Sequence, residues 1–158
     1  MSNALPPRPR LVGGKRTFTI VASQFNAIYV QGLVNHATEE LRTLVPSVVL
    51  TLHQVPGAFE IPVVVREVAL HKKADAILAV AVIIKGRTSH ADHLSRSVTD
   101  ALQQIAIEHG IPIVNVVLSV DNELQARERC LEKEMNRGIE AARAAISISN
   151  VMIELREK

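Results

Sequence analysis

Tryptophan is absent from this 158-residue chain, tyrosine occurs once and phenylalanine three times. A core with so few rings has to come from Val, Ile, Leu and Ala, which suits a parallel sheet covered by helices. The single cysteine, Cys130, excludes an intramolecular disulfide and fits a reducing compartment, so the cytoplasm is the expected location. No apolar run reaches the roughly 20 residues that span a bilayer, and the N-terminal segment lacks a signal peptide's apolar centre. A membrane partner is not expected. The net charge is only +2, with no basic stripe interleaved with aromatics, which argues against nucleic acid. The 47% hydrophobic content excludes wholesale disorder, and the length is that of one domain with a real core.

What the chain does contain is an alternation of short apolar runs and helical periodicities. Pro6, Pro7 and Pro9 block helix in residues 1–16, which read as an extended or mobile arm able to pair with a neighbouring subunit's sheet edge. Residues 17–158 read as a single domain. Strands are expected at 17–23, 48–53, 76–84 and 113–118. The run at 76–84 is apolar throughout, as in a central strand buried on both faces. Helices are expected at 27–44, with Ile28, Leu33, Ala37 and Leu41 on one face, and at 58–70, with Ile61, Val64, Val65 and Val68 buried. Three more are expected at 91–109, stopped by Gly110, at 123–135 and at 138–148. Asn136-Arg137-Gly138 breaks the last two apart, and 151–158 reads as a charged, exposed tail. The order predicts an α/β fold, a three-layer α/β/α sandwich on a mostly parallel four-stranded sheet with flavodoxin-like strand order. Ligands of such sheets bind beyond the carboxyl ends of the strands, which directs attention to 24–26, 55–60, 84–90 and 119–122.

The first of these ends carries Ser23-Gln24-Phe25-Asn26. Phe25 is either a stacking platform for a planar ring or a cover for the sheet edge. The second carries Val55-Pro56-Gly57-Ala58-Phe59-Glu60-Ile61-Pro62, where free amides at a helix start suit an acceptor-rich ligand. Glu60 there either accepts from ligand hydroxyls or answers the helix dipole. The third carries Lys85-Gly86-Arg87-Thr88-Ser89-His90. Backbone amides and the Thr88 hydroxyl suit a phosphate, although the second glycine and Lys-Ser/Thr pair of a Walker loop are missing. His90 is either a proton-transfer group or a solvent-exposed helix-start residue. His90, Asp92 and His93 lack a third ligand at a recognisable spacing, so no metal site is expected. Cys130 sits in an amphipathic helix and reads as buried packing rather than a nucleophile. Arg127 and Arg129 are both candidates to complete a phosphate site, with surface charge the plainer reading.

Taken together these segments, with Gln125-Ala126-Arg127-Glu128-Arg129 and Asn136-Arg137-Gly138-Ile139-Glu140-Ala141-Ala142, resemble the lumazine synthase family of riboflavin biosynthesis. The resemblance runs from about Thr17 to Asn150. It implies condensation of 5-amino-6-(D-ribitylamino)uracil with 3,4-dihydroxy-2-butanone 4-phosphate to 6,7-dimethyl-8-ribityllumazine, phosphate and water, with no metal or organic cofactor. It implies that Phe25 stacks on the pyrimidine, that Ala58, Phe59 and Glu60 hold the ribityl chain and ring, and that Val82, Ile83 and Ile84 touch the pyrimidine. Arg87 and Thr88, on the Gly86 turn, would hold the phosphate together with Arg129, and His90 would transfer protons. It further implies pentamers with active sites shared between adjacent subunits.

Departures from the family pattern are Asn115 where many members lend an aromatic to the neighbouring pocket, and Arg137 where a lysine is usual. Ala91 stands where an aromatic is common, and Arg87 replaces an acidic or small residue. The turn associated with sixty-subunit shells is here Leu131-Glu132-Lys133-Glu134-Met135, without its glycines, which points to a free pentamer or decamer. A ligand-holding protein of the same fold without turnover and a generic phosphate-ester enzyme such as an isomerase are the competing readings.

Overall fold

The computed structural model describes residues 4–157. Four strands, β1 (Thr17–Ser23), β2 (Val49–Val55), β3 (Ala76–Ile84) and β4 (Ile113–Val120), form one sheet in the order β2-β1-β3-β4. Every pairing is parallel, with Ile20 opposite both Leu52 and Leu78, and Leu78 opposite Val114. This is the α/β/α arrangement expected, with helices on both faces. On β3 the alternation of side chains divides one apolar run between two cores. Ala76, Leu78, Val80 and Val82 face α1 (Ala27–Leu44), α4 (Glu123–Cys130) and α5 (Arg137–Arg156). Ile77, Ala79, Ala81 and Ile83 face α2 (Ile61–His71) and α3 (His90–His109).

Several expected boundaries shift for identifiable reasons. The second strand runs to Val55 rather than residue 53, because Ser23 still pairs with Val55 in the β1–β2 ladder. The segment 58–60 is one turn of 3-10 helix before α2 begins. Helix α4 stops at Cys130, not Met135: Glu132, Lys133 and Glu134 are exposed and have no apolar face to bury. Instead the buried Asn136 takes over, accepting from Gly138 N at 2.9 Å and Ile139 N at 3.1 Å to cap α5, and donating to Glu132 O. Beyond residue 148 nothing stops the last helix, so the expected tail is the end of α5, and Arg156 donates to Gly110 O at 2.6 Å. Ile28 is exposed rather than buried, since the inward stripe of α1 runs through Val30, Leu33, Val34, Ala37 and Leu41. Val64 and Val68 are half-buried, facing an open groove between α2 and the β2 edge of the sheet. Gly110 takes φ +62° at the end of α3, the left-handed cap that glycine makes cheap.

Residues 4–16 hold no strand or helix and lie along α1 and α5; residues 1–3 of the arm and Lys158 lie outside the described residues. Buried Glu40 accepts from Arg8 at 2.9 Å and from Arg143 at 2.6 Å, and Arg143 also donates to Pro6 O. Arg16, 1% exposed, donates to Ser149 Oγ at 2.9 Å, to Asn150 Oδ1 at 2.8 Å and to Val12 O. Asn150 in turn donates to Arg10 O. A buried guanidinium is tolerable only when its donors are met in this way.

Replacing Glu40 with Ala leaves Arg143 uncompensated in a largely buried setting and should lower the unfolding free energy by about 3 kcal/mol. The change Arg8→Ala removes a side chain that is 55% exposed and should lose under about 1 kcal/mol. Urea denaturation measures both, and equal losses would contradict the dominance of the Glu40–Arg143 pair.

Candidate active site at the strand ends

The sheet order places β1 beside β3, while the chain leaves β1 toward β2 on one side and reaches β4 on the other. Loops therefore diverge above the β1–β3 boundary and leave a crevice there. A cleft of about 430 Å3 occupies it, a volume suited to small ligands. Three strand ends build its wall. Gln24 N donates to Val55 O at 2.7 Å and Phe25 N to Pro56 O at 3.2 Å, tying the first end to the second. Lys85 N donates to Val120 O at 2.8 Å, tying the third to the fourth.

Of the residues singled out above, Phe25, Ala58, Phe59, Glu60, Val82, Ile83, Ile84, Gly86, Thr88 and His90 line this one cleft. Phe25 is 71% exposed and Phe59 69%, whereas the third phenylalanine, Phe18, is fully buried. Two of three phenylalanines in the chain are thus left uncovered on the same cleft. Core packing does not explain that, because burial is the usual fate of such rings. At Gly86 an added Cβ would meet no atom within 4 Å, so packing within the chain does not demand glycine there. Thr88 Oγ1 lies 3.4 Å from His90 N at the first turn of α3, and Ser89 makes no side-chain cap. The His90 amide donates to that hydroxyl, and the other amides of the turn have no side-chain cap and suit an acceptor.

Asn26 was not singled out individually, yet it joins the two walls. It adopts φ 58°, ψ 48°, and its Nδ2 donates to Val82 O at 2.7 Å. Asparagine tolerates the left-handed conformation better than most residues, and an Asn directly before a helix was the available signal. The clip turns Phe25 outward over the crevice. Ala91 and Leu94 of α3 and Ser23 and Ala81 of the strands complete the lining.

Four of the remaining candidates are not part of the cleft lining. Asn115 is on β4 five residues before its end, about 16 Å upstream at strand rise. Its Oδ1 accepts from Val117 N at 3.0 Å, and its surroundings are Thr99, Asp100 and Gln103. Arg129 is half-buried on α4, with Nε buried and without a hydrogen-bond partner. Arg137 is buried at the start of α5 and paired with Glu140. Arg87 is exposed in the loop but is not part of the cleft wall. Beside it the Lys85 ammonium lies 3.3 Å from Asp121 and 4.0 Å from Asp92. Hydrogen bonds from Lys85 and then Gln125, with Arg129 nearby, hold the Asp121 carboxyl below the usual carboxylate range. Among the described residues no group of three or more His, Cys, Asp and Glu side chains could hold a metal ion, and no helix is long and apolar enough to cross a membrane.

Cys130 is fully buried at the last residue of α4, and burial pushes its thiol up to about 12 from 9.0. The unfolded chain therefore releases this proton first. As pH rises from about 9.0 toward about 12, the thiol's contribution to native stability is progressively lost. Iodoacetamide at pH 8 should leave the native thiol unmodified and react rapidly in urea; fast native alkylation would refute the buried placement.

The 6,7-dimethyl-8-ribityllumazine synthase family model matches residues 15–153. That span takes in all four strands, every loop of the cleft and nearly all of α5. The chain belongs to the 6,7-dimethyl-8-ribityllumazine synthase family.

Proposed function

We propose that the cleft holds both substrates of this family's reaction and that His90 moves the protons. The chain is an enzyme, a transferase of riboflavin biosynthesis, which condenses 5-amino-6-(D-ribitylamino)uracil with 3,4-dihydroxy-2-butanone 4-phosphate. The observation that carries the assignment of the site is the pair of uncovered rings, Phe25 and Phe59, on a cleft that Gly86, Thr88 and His90 also line. Phe25 stacks on the pyrimidine, the backbone of Val82, Ile83 and Ile84 meets its polar edge, and Ala58, Phe59 and Glu60 hold the ribityl chain. The turn amides and Thr88, with Arg87, take the phosphate. The open space over Gly86 supports that reading, since a side chain there would occupy the ligand's approach.

The chemistry follows from these roles. The 5-amino nitrogen adds to the ketone, and water leaves to give an imine. Removal of a proton from the adjacent carbon expels phosphate by elimination, and the resulting enol becomes a ketone. The ribityl-bearing nitrogen attacks that carbonyl, and loss of a second water closes the ring. Each step needs a proton accepted or returned near the butanone carbons, which is the work given to His90. Holding the two reactants together supplies the orientation that free solution lacks.

Asn115 and Arg129 complete the site of an adjacent subunit in a ring of five, with Arg137 in an accessory role. Their absence from the lining of their own chain's cleft supports this, as does the open β2 edge with Val49 and Leu52 exposed. Residues 17–158 form one domain behind the arm 1–16, and the enzyme works in the cytoplasm without metal or organic cofactor.

Mixing both substrates with the protein and following lumazine absorbance tests the activity. The variant His90→Ala should lower kcat by about 10²-fold with the fold intact; an unchanged rate would remove His90 from the mechanism. Co-assembling His90→Ala with Arg129→Gln subunits should restore activity at about a quarter of the sites, as random mixing around a ring gives. Sites contained within one chain would give no such restoration.

A further inference from the structure

Gly32 lies inside α1, where glycine disfavours helix by about 0.8–1 kcal/mol relative to alanine. Its position shows what keeps it there. A Cβ at residue 32 would stand 2.5 Å from the Cys130 carbonyl oxygen, 2.6 Å from Leu131 Cδ2 and 3.3 Å from the Cys130 carbonyl carbon. Two of these atoms are backbone, so an alanine would have to push the helices apart. Four residues along the same face of α1, His36 Nε2 lies 3.1 Å from Leu131 O. Thus two successive turns of α1 hold the end of α4. That helix has only eight residues, two of them buried, and its other end is fixed by the Asn122 cap on Gln125 N. The residue next to Cys130 is Arg129.

We propose that Gly32 is a positioning residue for Arg129: its missing side chain seats the last turn of α4, and that seat sets where the guanidinium meets the phosphorylated substrate. The inference rests on the phosphate role given to Arg129 above. A shift of α4 by even part of an ångström moves the guanidinium relative to the rest of the site, and forked hydrogen bonding to phosphate is sensitive to such shifts. The pyrimidine and ribityl contacts proposed for the cleft come from the end of β1, the 3-10 turn before α2 and β3, with none from α4. The effect therefore falls on one substrate.

Steady-state kinetics on the full-length assembled enzyme tests this with Gly32→Ala, Arg129→Gln and the double variant. Gly32→Ala should raise KM for the phosphorylated butanone about three- to tenfold and leave KM for the pyrimidine unchanged. In the Arg129→Gln background it should add nothing further, because the group it positions is gone. Unchanged KM values, equal rises for both substrates, or the same rise in both backgrounds would overturn the proposal and leave Gly32 a packing residue. If Arg129→Gln itself leaves KM for the phosphorylated substrate unmoved, the assignment of Arg129 fails and takes the proposal with it. If Gly32→Ala does not fold, His36→Ala keeps the glycine and removes the second contact. It should raise the same KM about twofold, only while Arg129 is present; no rise overturns the proposal.

Discussion

All four strands run in the same direction, and most of the molecule follows from that constraint. Parallel strands cannot be joined by tight hairpins, so each connection crosses a face of the sheet as a helix and buries it. Both faces of β3 are consequently covered, and its nine residues have no polar side chain among them. The same constraint brings every strand's carboxyl end to one rim. Because β1 is flanked by β2 and β3, the connections leaving that rim part company above β1 and β3. The cleft is the gap they leave, and the Asn26 hydrogen bond to Val82 O spans its floor.

The two covering layers meet different demands. The α2–α3 side is closed by aliphatic packing around Ile61, Val65, Val98 and Leu102. The α1–α5 side carries buried polar groups as well: Glu40 between two guanidiniums, and Arg16 among Ser149, Asn150 and the arm's carbonyls. Such groups destabilise unless every partner is present, and so they fix the register of α1, α5 and the arm. Close backbone approach adds to this, since a Cβ at Gly138 would collide with Leu33 O. The layer that holds α4 is thus the more tightly specified of the two.

This division explains what could be read from the sequence. Strand β3 was legible to the residue because its burial is uniform and its ends are marked by Asp75 and Lys85. The cleft-lining strings were legible because a strand end followed by Gly, Pro or a helix start is a local pattern. The Glu40–Arg143 and Arg16–Ser149 pairs were not legible, being 103 and 133 residues apart with no local trace. Ile28 misled because the first turn of α1 precedes the point where its inward stripe begins. The end of α4 misled because Asn136, capping the next helix through its side chain, outweighs the helical propensity of Glu132 to Met135. Arg129 matches a family pattern and Asn115 departs from one, but linear order could not reveal that neither lines the cleft of its own chain.

The distribution of charge along the rim bears on how the proposed site would hold a phosphate. Lys85 directly precedes the Gly86 turn, but Asp121 and Asp92 both face it. Its charge is largely answered within the chain by these two carboxylates. No such carboxylate answers Arg87 among the described residues. In the proposed site the long-range attraction for a phosphorylated substrate therefore falls to Arg87 and the α3 amides rather than to Lys85. Because Arg87 is exposed, that attraction is screened over a Debye length of about 8 Å at physiological salt. It guides the approach of the substrate, while orientation within the site needs short, directed hydrogen bonds. In the proposed site those fall to the turn amides and to a guanidinium held by its helix, which would make the seating of α4 matter more than the number of cations nearby.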